Sequence, residues 1–142
     1  MKQIKFLLPA FAFLLFTSCN NYGDKVTKGH VDVYYKKGIA KEAAMHTAQV
    51  LFEIDSSFNN NISETKSFQL VNNNDTVTFK MVVSEENAFS LPDDSFLAIS
   101  NLISENVFES KPVNIELTDN KFNNLRKLSF QKMDLSDDMD LE

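Results

Sequence analysis

The stretch HVDVYYKKGIAKEAAMHTAQVLF, residues 30–52, contains the change of hydrophobic period that decides the fold. Apolar and polar side chains alternate in its first six residues, with Val31 and Val33 on one face, which predicts a half-buried strand. Gly38 then provides a turn. After it, apolar residues recur at steps of three and four from Ala40 to Phe58, which predicts an amphipathic helix.

The following segments show the same two patterns. Alternating runs at 66–71 and 76–83 flank the turn-forming residues Asn72–Asp75, which predicts a hairpin. Residues 84–90 are polar and are expected to form a connection. Pro92, with two aspartates after it, predicts the start of a second helix, whose buried stripe contains Phe96, Ile99, Leu102 or Ile103, and Val107.

Alternation returns at 113–118 and again at 125–130, which predicts a fourth strand and a further C-terminal strand. The predicted fold is therefore α+β: a ferredoxin-like βαββαβ two-layer sandwich, with two helices on one face of an antiparallel sheet and an extra C-terminal strand. This sandwich domain is expected over residues 29–132. Residues 133–142 are expected to form an acidic tail without regular structure.

The N-terminal segment has the features of an export signal. Two lysines in the first five residues precede an apolar run of 11 residues, 6–16, which is shorter than the roughly 20 residues that a membrane-spanning helix needs. Phe16-Thr17-Ser18-Cys19 then resembles the lipobox of bacterial lipoproteins, with phenylalanine where the box usually has leucine or a similar aliphatic residue. We therefore expect a signal peptide over residues 1–18.

The lipoprotein resemblance implies that Cys19, the only cysteine, carries the acyl chains that anchor the protein to a membrane. Residues 19–28 are then expected to be a polar, lipidated tether. The resemblance places the protein in the cell envelope. Because Asn20 rather than aspartate follows the cysteine, it favours the outer membrane, with the domain facing the periplasm or the cell surface.

The charge of the chain excludes one class of partner. Removal of Lys2 and Lys5 with the signal takes the formal charge from −6 to −8. Nucleic-acid-binding proteins carry lysine and arginine clusters that neutralise phosphates, so no nucleic-acid partner is expected.

Few residues suggest catalysis. Glu42 and His46 are one helical turn apart, and Glu53 follows on roughly the same side, so this helix face is a candidate divalent-metal site. A solvated helix face with local charge pairs explains the same residues. No nucleophile elbow or phosphate-binding loop occurs. We therefore expect no enzyme activity and no cofactor.

The sheet face away from the helices is a candidate interaction face. Asp32, Tyr34, Lys80 and Glu116 are its candidate contact residues, although simple solvation is the favoured explanation of such a polar face. Alternation assigns the following side chains to this face: His30, Asp32, Tyr34, Lys36, Ser67, Gln69, Thr78, Lys80, Val82, Asn114, Glu116 and Thr118.

Three functions remain open from the sequence. The first is a lipid-anchored, non-catalytic envelope protein that acts through contacts with a protein partner. The second is a small envelope enzyme, such as a metal-dependent hydrolase that uses Glu42 and His46. The third is an inhibitor or immunity-type protein, whose acidic charge would steer a basic partner towards it.

Overall fold

The structure, a computed structural model, describes residues 21–58 and 64–134. The predicted signal peptide, Cys19, Asn20, residues 59–63 and residues 135–142 of the predicted acidic tail lie outside the described residues. Six strands and three helices occur within them: β1 (Asp24–Lys28), β2 (Val31–Tyr35), α1 (Lys41–Phe58), β3 (Lys66–Asn73), β4 (Thr76–Val82), α2 (Glu85–Ser90), α3 (Asp93–Val107), β5 (Val113–Thr118) and β6 (Asn124–Leu128).

The six strands form one mixed sheet in the order β1-β2-β3-β4-β5-β6. The pairs β1–β2, β3–β4 and β5–β6 are antiparallel, whereas β2–β3 and β4–β5 are parallel. The sheet therefore consists of three neighbouring hairpins, and helical crossovers connect each hairpin to the next. The α+β class is confirmed.

The ferredoxin-like layout is not confirmed. In a split βαβ unit another strand lies between the two parallel strands, but here α1 connects strands that pair directly, such as Val33 with Phe68. The same holds for β4 and β5. The sheet is mixed rather than antiparallel, and its strand count exceeds the βαββαβ pattern. Local periodicity identifies strands but does not specify which strands become neighbours.

Two elements differ from the predictions. Residues 24–28, expected to be tether, form the edge strand β1, in which only Val26 is buried. Residues 85–90, expected to be a connection, form the short helix α2, which begins at Ser84 because its side chain accepts a hydrogen bond from the Asn87 amide (3.2 Å). Each element buries one apolar residue, Val26 or Ala88, so neither has a hydrophobic period.

The main core lies between the helices and one face of the sheet. α1 packs on β1 and β2, and α3 packs on β5. Ala44, Ala48 and Leu51 bury the inner face of α1, and the Phe68 and Phe79 rings stack in the sheet with centroids 5.3 Å apart. The strand residues confirmed as buried core are Val31, Val33, Phe68, Leu70, Val77, Phe79, Val113, Ile115 and Leu117, whereas Phe130, at the end of the predicted C-terminal strand, lies beyond β6 and is only half-buried. None of the described helices is both long and apolar enough to cross a membrane.

Candidate functional site

The strand side chains that point away from α1 and α3 form what we call the open face. One row of this face crosses the whole sheet, because its members are register partners on neighbouring strands. The row consists of Lys25, Tyr34, Gln69, Lys80, Glu116 and Lys127.

The four residues predicted for interaction lie on the open face, and two of them form an ion pair. Glu116, which is 16% exposed, lies between Lys80 (3.6 Å) and Lys127 (3.7 Å) and so connects β4, β5 and β6. Asp32 accepts a hydrogen bond from the Thr27 hydroxyl (2.6 Å) and pairs with Lys25 (3.6 Å). These charged groups are therefore engaged with one another.

Tyr34, the fourth predicted residue, belongs to a cluster of three rings. We call Tyr22, Tyr34 and Phe122 the aromatic cluster. Its centroids are 5.1 Å apart for Tyr22 and Phe122, 5.7 Å for Tyr34 and Phe122, and 5.8 Å for the two tyrosines, all with edge-to-face geometry. Edge-to-face packing is a favoured arrangement of aromatic rings. The cluster is a second, smaller core on the open face.

The segment before β1 reaches this cluster by folding back over the sheet. Gly23 adopts φ +90°, and a Cβ there would lie 2.2 Å from the Tyr35 carbonyl oxygen, so only glycine permits the close approach. The Tyr22 carbonyl then accepts a hydrogen bond from the Gln69 side-chain amide (2.8 Å), and Gln69 is only 2% exposed. The start of the domain is therefore fixed to the open face.

The β5–β6 loop supplies the third ring from the other end of the sheet. One Asp119 carboxylate oxygen accepts hydrogen bonds from the Lys121 and Asn123 amides, both at 2.9 Å. These amides, that of Asn123 first, hold the pKa of Asp119 below its usual value of 3.8. Within this loop Phe122 has φ +59° and is 7% exposed, so its ring is buried among the two tyrosines.

The prediction that His30 belongs to the open face is wrong. His30 lies in the turn before β2, where its Nε2 is 2.5 Å from Asp55 of α1 and its ring lies beside Phe52. Asp55 also pairs with Lys66 at the start of β3. The alternating pattern does not apply to His30, because this residue precedes the first residue of β2. Its ring instead contacts the Asp55 carboxylate on the helix side of the sheet. This group connects β2, α1 and β3.

The candidate metal residues do not form a ligand set among the residues that the structure describes. Glu42, His46 and Glu53 are exposed on α1, and Glu53 accepts a hydrogen bond from Gln49 (2.5 Å). Residues 21–58 and 64–134 contain no group of three histidine, cysteine or carboxylate side chains that could hold an ion. The face matches the alternative explanation, a solvated helix surface.

Sequence reasoning missed an open cleft of about 920 Å³ at one end of the sheet. It lies between the start of β3 and the end of β4. Phe68 and Leu125 supply apolar lining, while Lys66, Glu85 and Asp119 are among its charged residues. Its charges are of both signs, and its lining comes from four separate segments, so no local pattern in the sequence could have indicated it.

The fold and the open face define a small α+β domain in which an aromatic cluster fixes the N-terminal segment to the sheet. The model of the AF_1994_N family, described as a family N-terminal domain, matches residues 25–129, and the chain belongs to this family. No curated protein and no solved structure matches the chain significantly. The matched range runs from the second residue of β1 to just beyond β6, so it covers the sheet except for Asp24.

Proposed function

We propose that the protein is a lipid-anchored, non-catalytic protein of the cell envelope that acts through contacts with another protein. In this proposal Cys19 carries the acyl chains, and the domain faces the periplasm or the cell surface from the outer membrane. The support for the anchor is the sequence from Lys2 to Cys19: a basic start, a short apolar run and one cysteine at its end. Two or more acyl chains on one residue hold a protein stably, whereas one chain alone does not.

The observation that favours this function most is the position of Tyr22. It lies three residues after Cys19 and is fixed to the open face by Gln69 and the aromatic cluster. An acyl anchor on Cys19 would therefore be attached almost directly to the folded domain, without a long flexible spacer between them. This arrangement suits a domain whose role depends on its distance from the membrane.

The positions of the ionisable and the apolar side chains favour protein contact over catalysis. The carboxylates of Asp32, Asp55 and Glu116 are each paired with a basic side chain of a neighbouring segment. By contrast, Phe89 is 63% exposed and Leu91, two residues later, is 42% exposed. A contiguous exposed apolar patch marks a surface that contacts another protein, and in this proposal these two side chains belong to such a patch.

Membrane fractionation of bacteria that express the chain tests the anchor. The wild type is expected in the membrane fraction and the Cys19→Ala variant in the soluble fraction. A matched control carries Cys19→Ala together with Ser56→Cys, which returns a thiol to an exposed position on α1 and should not restore membrane association. Membrane association of Cys19→Ala equal to that of the wild type would refute the proposal.

A further inference from the structure

The position where the chain enters the domain determines which side of it can lie against a membrane. Tyr22 lies three residues after Cys19, and an extended chain of three residue steps spans at most about 11 Å. That distance is much shorter than a small domain, whose diameter is about 30 Å. An acylated Cys19 therefore keeps the side of the domain that bears Tyr22 close to the bilayer surface.

That side carries positive charge, although the chain as a whole is acidic. Lys36 and Lys37 line a depression of about 700 Å³ together with Asn21, Gly23 and a single carboxylate residue, Asp24, so its lining has a net positive charge. Both lysines are exposed, and neither forms an ion pair with the residues that the structure describes. Lys25 lies nearby on β1, with its side chain 46% exposed.

The charge balance on the open face differs from that of the whole chain. Its strands carry three lysines, Lys25, Lys80 and Lys127, against the two carboxylates Asp32 and Glu116. The whole chain has 14 basic and 20 acidic side chains. The open-face side chains of the strands therefore carry a net charge of +1 in a chain whose net charge is −6, so an anionic surface repels the open face less than it repels the domain as a whole.

We propose that the surface around Asn21, with Lys36 and Lys37 at its centre and Lys25 beside it, contacts the headgroups of anionic phospholipids and turns the open face towards the bilayer. This proposal rests on the acyl anchor proposed above. Each basic residue next to an anionic leaflet adds a small electrostatic attraction. That attraction is too weak to recruit an acidic domain alone, but it is sufficient to orient one that an acyl chain already holds at the surface.

The orientation can be measured on the acylated full chain in vesicles that contain a lipid with a quencher on its headgroup. One fluorophore is attached at Lys127→Cys on the open face, and a second preparation carries it at Glu105→Cys on the exposed side of α3. In vesicles of phosphatidylcholine with phosphatidylglycerol, we expect several-fold stronger quenching at position 127. Equal quenching at the two positions would overturn the proposed orientation.

Charge variants separate the headgroup contact from the effect of the short tether. Lys36→Glu with Lys37→Glu should reduce the difference between the two quenching values, whereas the control, Lys41→Glu with Lys132→Glu, should leave that difference unchanged. Raising the ionic strength from about 0.1 M to about 1 M shortens the screening length from about 10 Å to about 3 Å and should also reduce the difference. A difference that persists unchanged in pure phosphatidylcholine would overturn the headgroup contact.

The intact mass of the same preparation distinguishes this proposal from the proposed function. If the mass includes acyl chains and the two positions are quenched equally, the anchor stands and the orientation is refuted. If the mature chain carries no acyl mass, the anchor itself is refuted, and the orientation that depends on it falls as well.

Discussion

Phe122 should be the most sensitive residue of the open face, although it lies in a polar loop between β5 and β6. Its ring is 7% exposed and makes two edge-to-face contacts, with Tyr22 and Tyr34. Burying a phenylalanine side chain contributes about 1.5 to 3 kcal/mol, and each aromatic pair adds about 0.5 to 1.5 kcal/mol. Because alanine retains Cβ and a surface site partly collapses, we expect Phe122→Ala to lower the free energy of unfolding by about 3 kcal/mol.

Urea unfolding followed by circular dichroism measures this loss. With a urea dependence of about 1 to 3 kcal/mol per molar, the transition midpoint of Phe122→Ala should fall by about 1 to 3 M. Phe89→Ala is the matched control, because Phe89 is 63% exposed and its truncation should change the free energy of unfolding by no more than about 0.5 kcal/mol. Equal midpoints for the two variants would refute the assignment of Phe122 to a second core.

A double-mutant cycle then tests whether the N-terminal segment is fixed by this ring. Tyr22→Ala and Phe122→Ala should be non-additive by about 1 kcal/mol, because each substitution removes the same aromatic contact. Additive losses would mean that Tyr22 and Phe122 stabilise the protein independently, and Tyr22 would then not be held by the loop.

Three further predictions concern the neighbouring features. Gly23→Ala should lower the thermal midpoint, because φ +90° costs a residue with a side chain about 1 to 3 kcal/mol and the new Cβ would meet the Tyr35 carbonyl; an unchanged midpoint would contradict the tight turn. The pKa of Asp119 is lowered on folding, so its carboxylate stabilises the β5–β6 loop above about pH 4, and this contribution is lost as the pH falls further. The Lys121 and Asn123 amides should therefore become less protected from hydrogen exchange in acid, relative to the other amides of the sheet. Asp119→Asn should remove this pH dependence. Relative protection that does not change with pH would argue against the hydrogen bonds to Asp119. EDTA should leave the thermal midpoint of unfolding unchanged, and so should the double substitution Glu42→Gln with His46→Gln. The reason is that these two exposed side chains have no third metal ligand among the described residues. A shift of the midpoint on chelation would restore the metal hypothesis.

Most of the elements that the sequence predicted have a regular burial pattern, but β6, predicted over residues 125–130 and found at Asn124–Leu128, has no fully buried residue. β2, α1, the β3–β4 hairpin, α3 and β5 each repeat buried apolar residues at the period of a strand or a helix. β1 and α2 lack such repeats, since Val26 and Ala88 are their single buried apolar residues. A strand that pairs along one edge, or a helix of six residues, needs little apolar surface, so its sequence carries a weak signal.

The site depends on contacts that no local pattern encodes. Tyr22 and Phe122 are 100 residues apart in the sequence, and both lie outside the strands whose alternation defined the open face. One feature could have pointed to them: each is a single aromatic residue among polar neighbours, in NNYGD and TDNKFNN. Single aromatic residues in such polar segments can indicate a contact between them, as for Tyr22 and Phe122. The parallel neighbours β2–β3 and β4–β5 were missed for the same reason, because strand order is a long-range property.

The most direct test of the account is the mass of the N-terminal tryptic peptide of the mature protein purified from membranes. If residues 1–18 are removed and Cys19 is acylated, this peptide runs from Cys19 to Lys25, and its mass exceeds that of the unmodified sequence CNNYGDK by that of the acyl chains. The account predicts this peptide from the wild type. A mature chain that begins at another residue, or an unmodified Cys19, would contradict the anchor on which the proposed function rests.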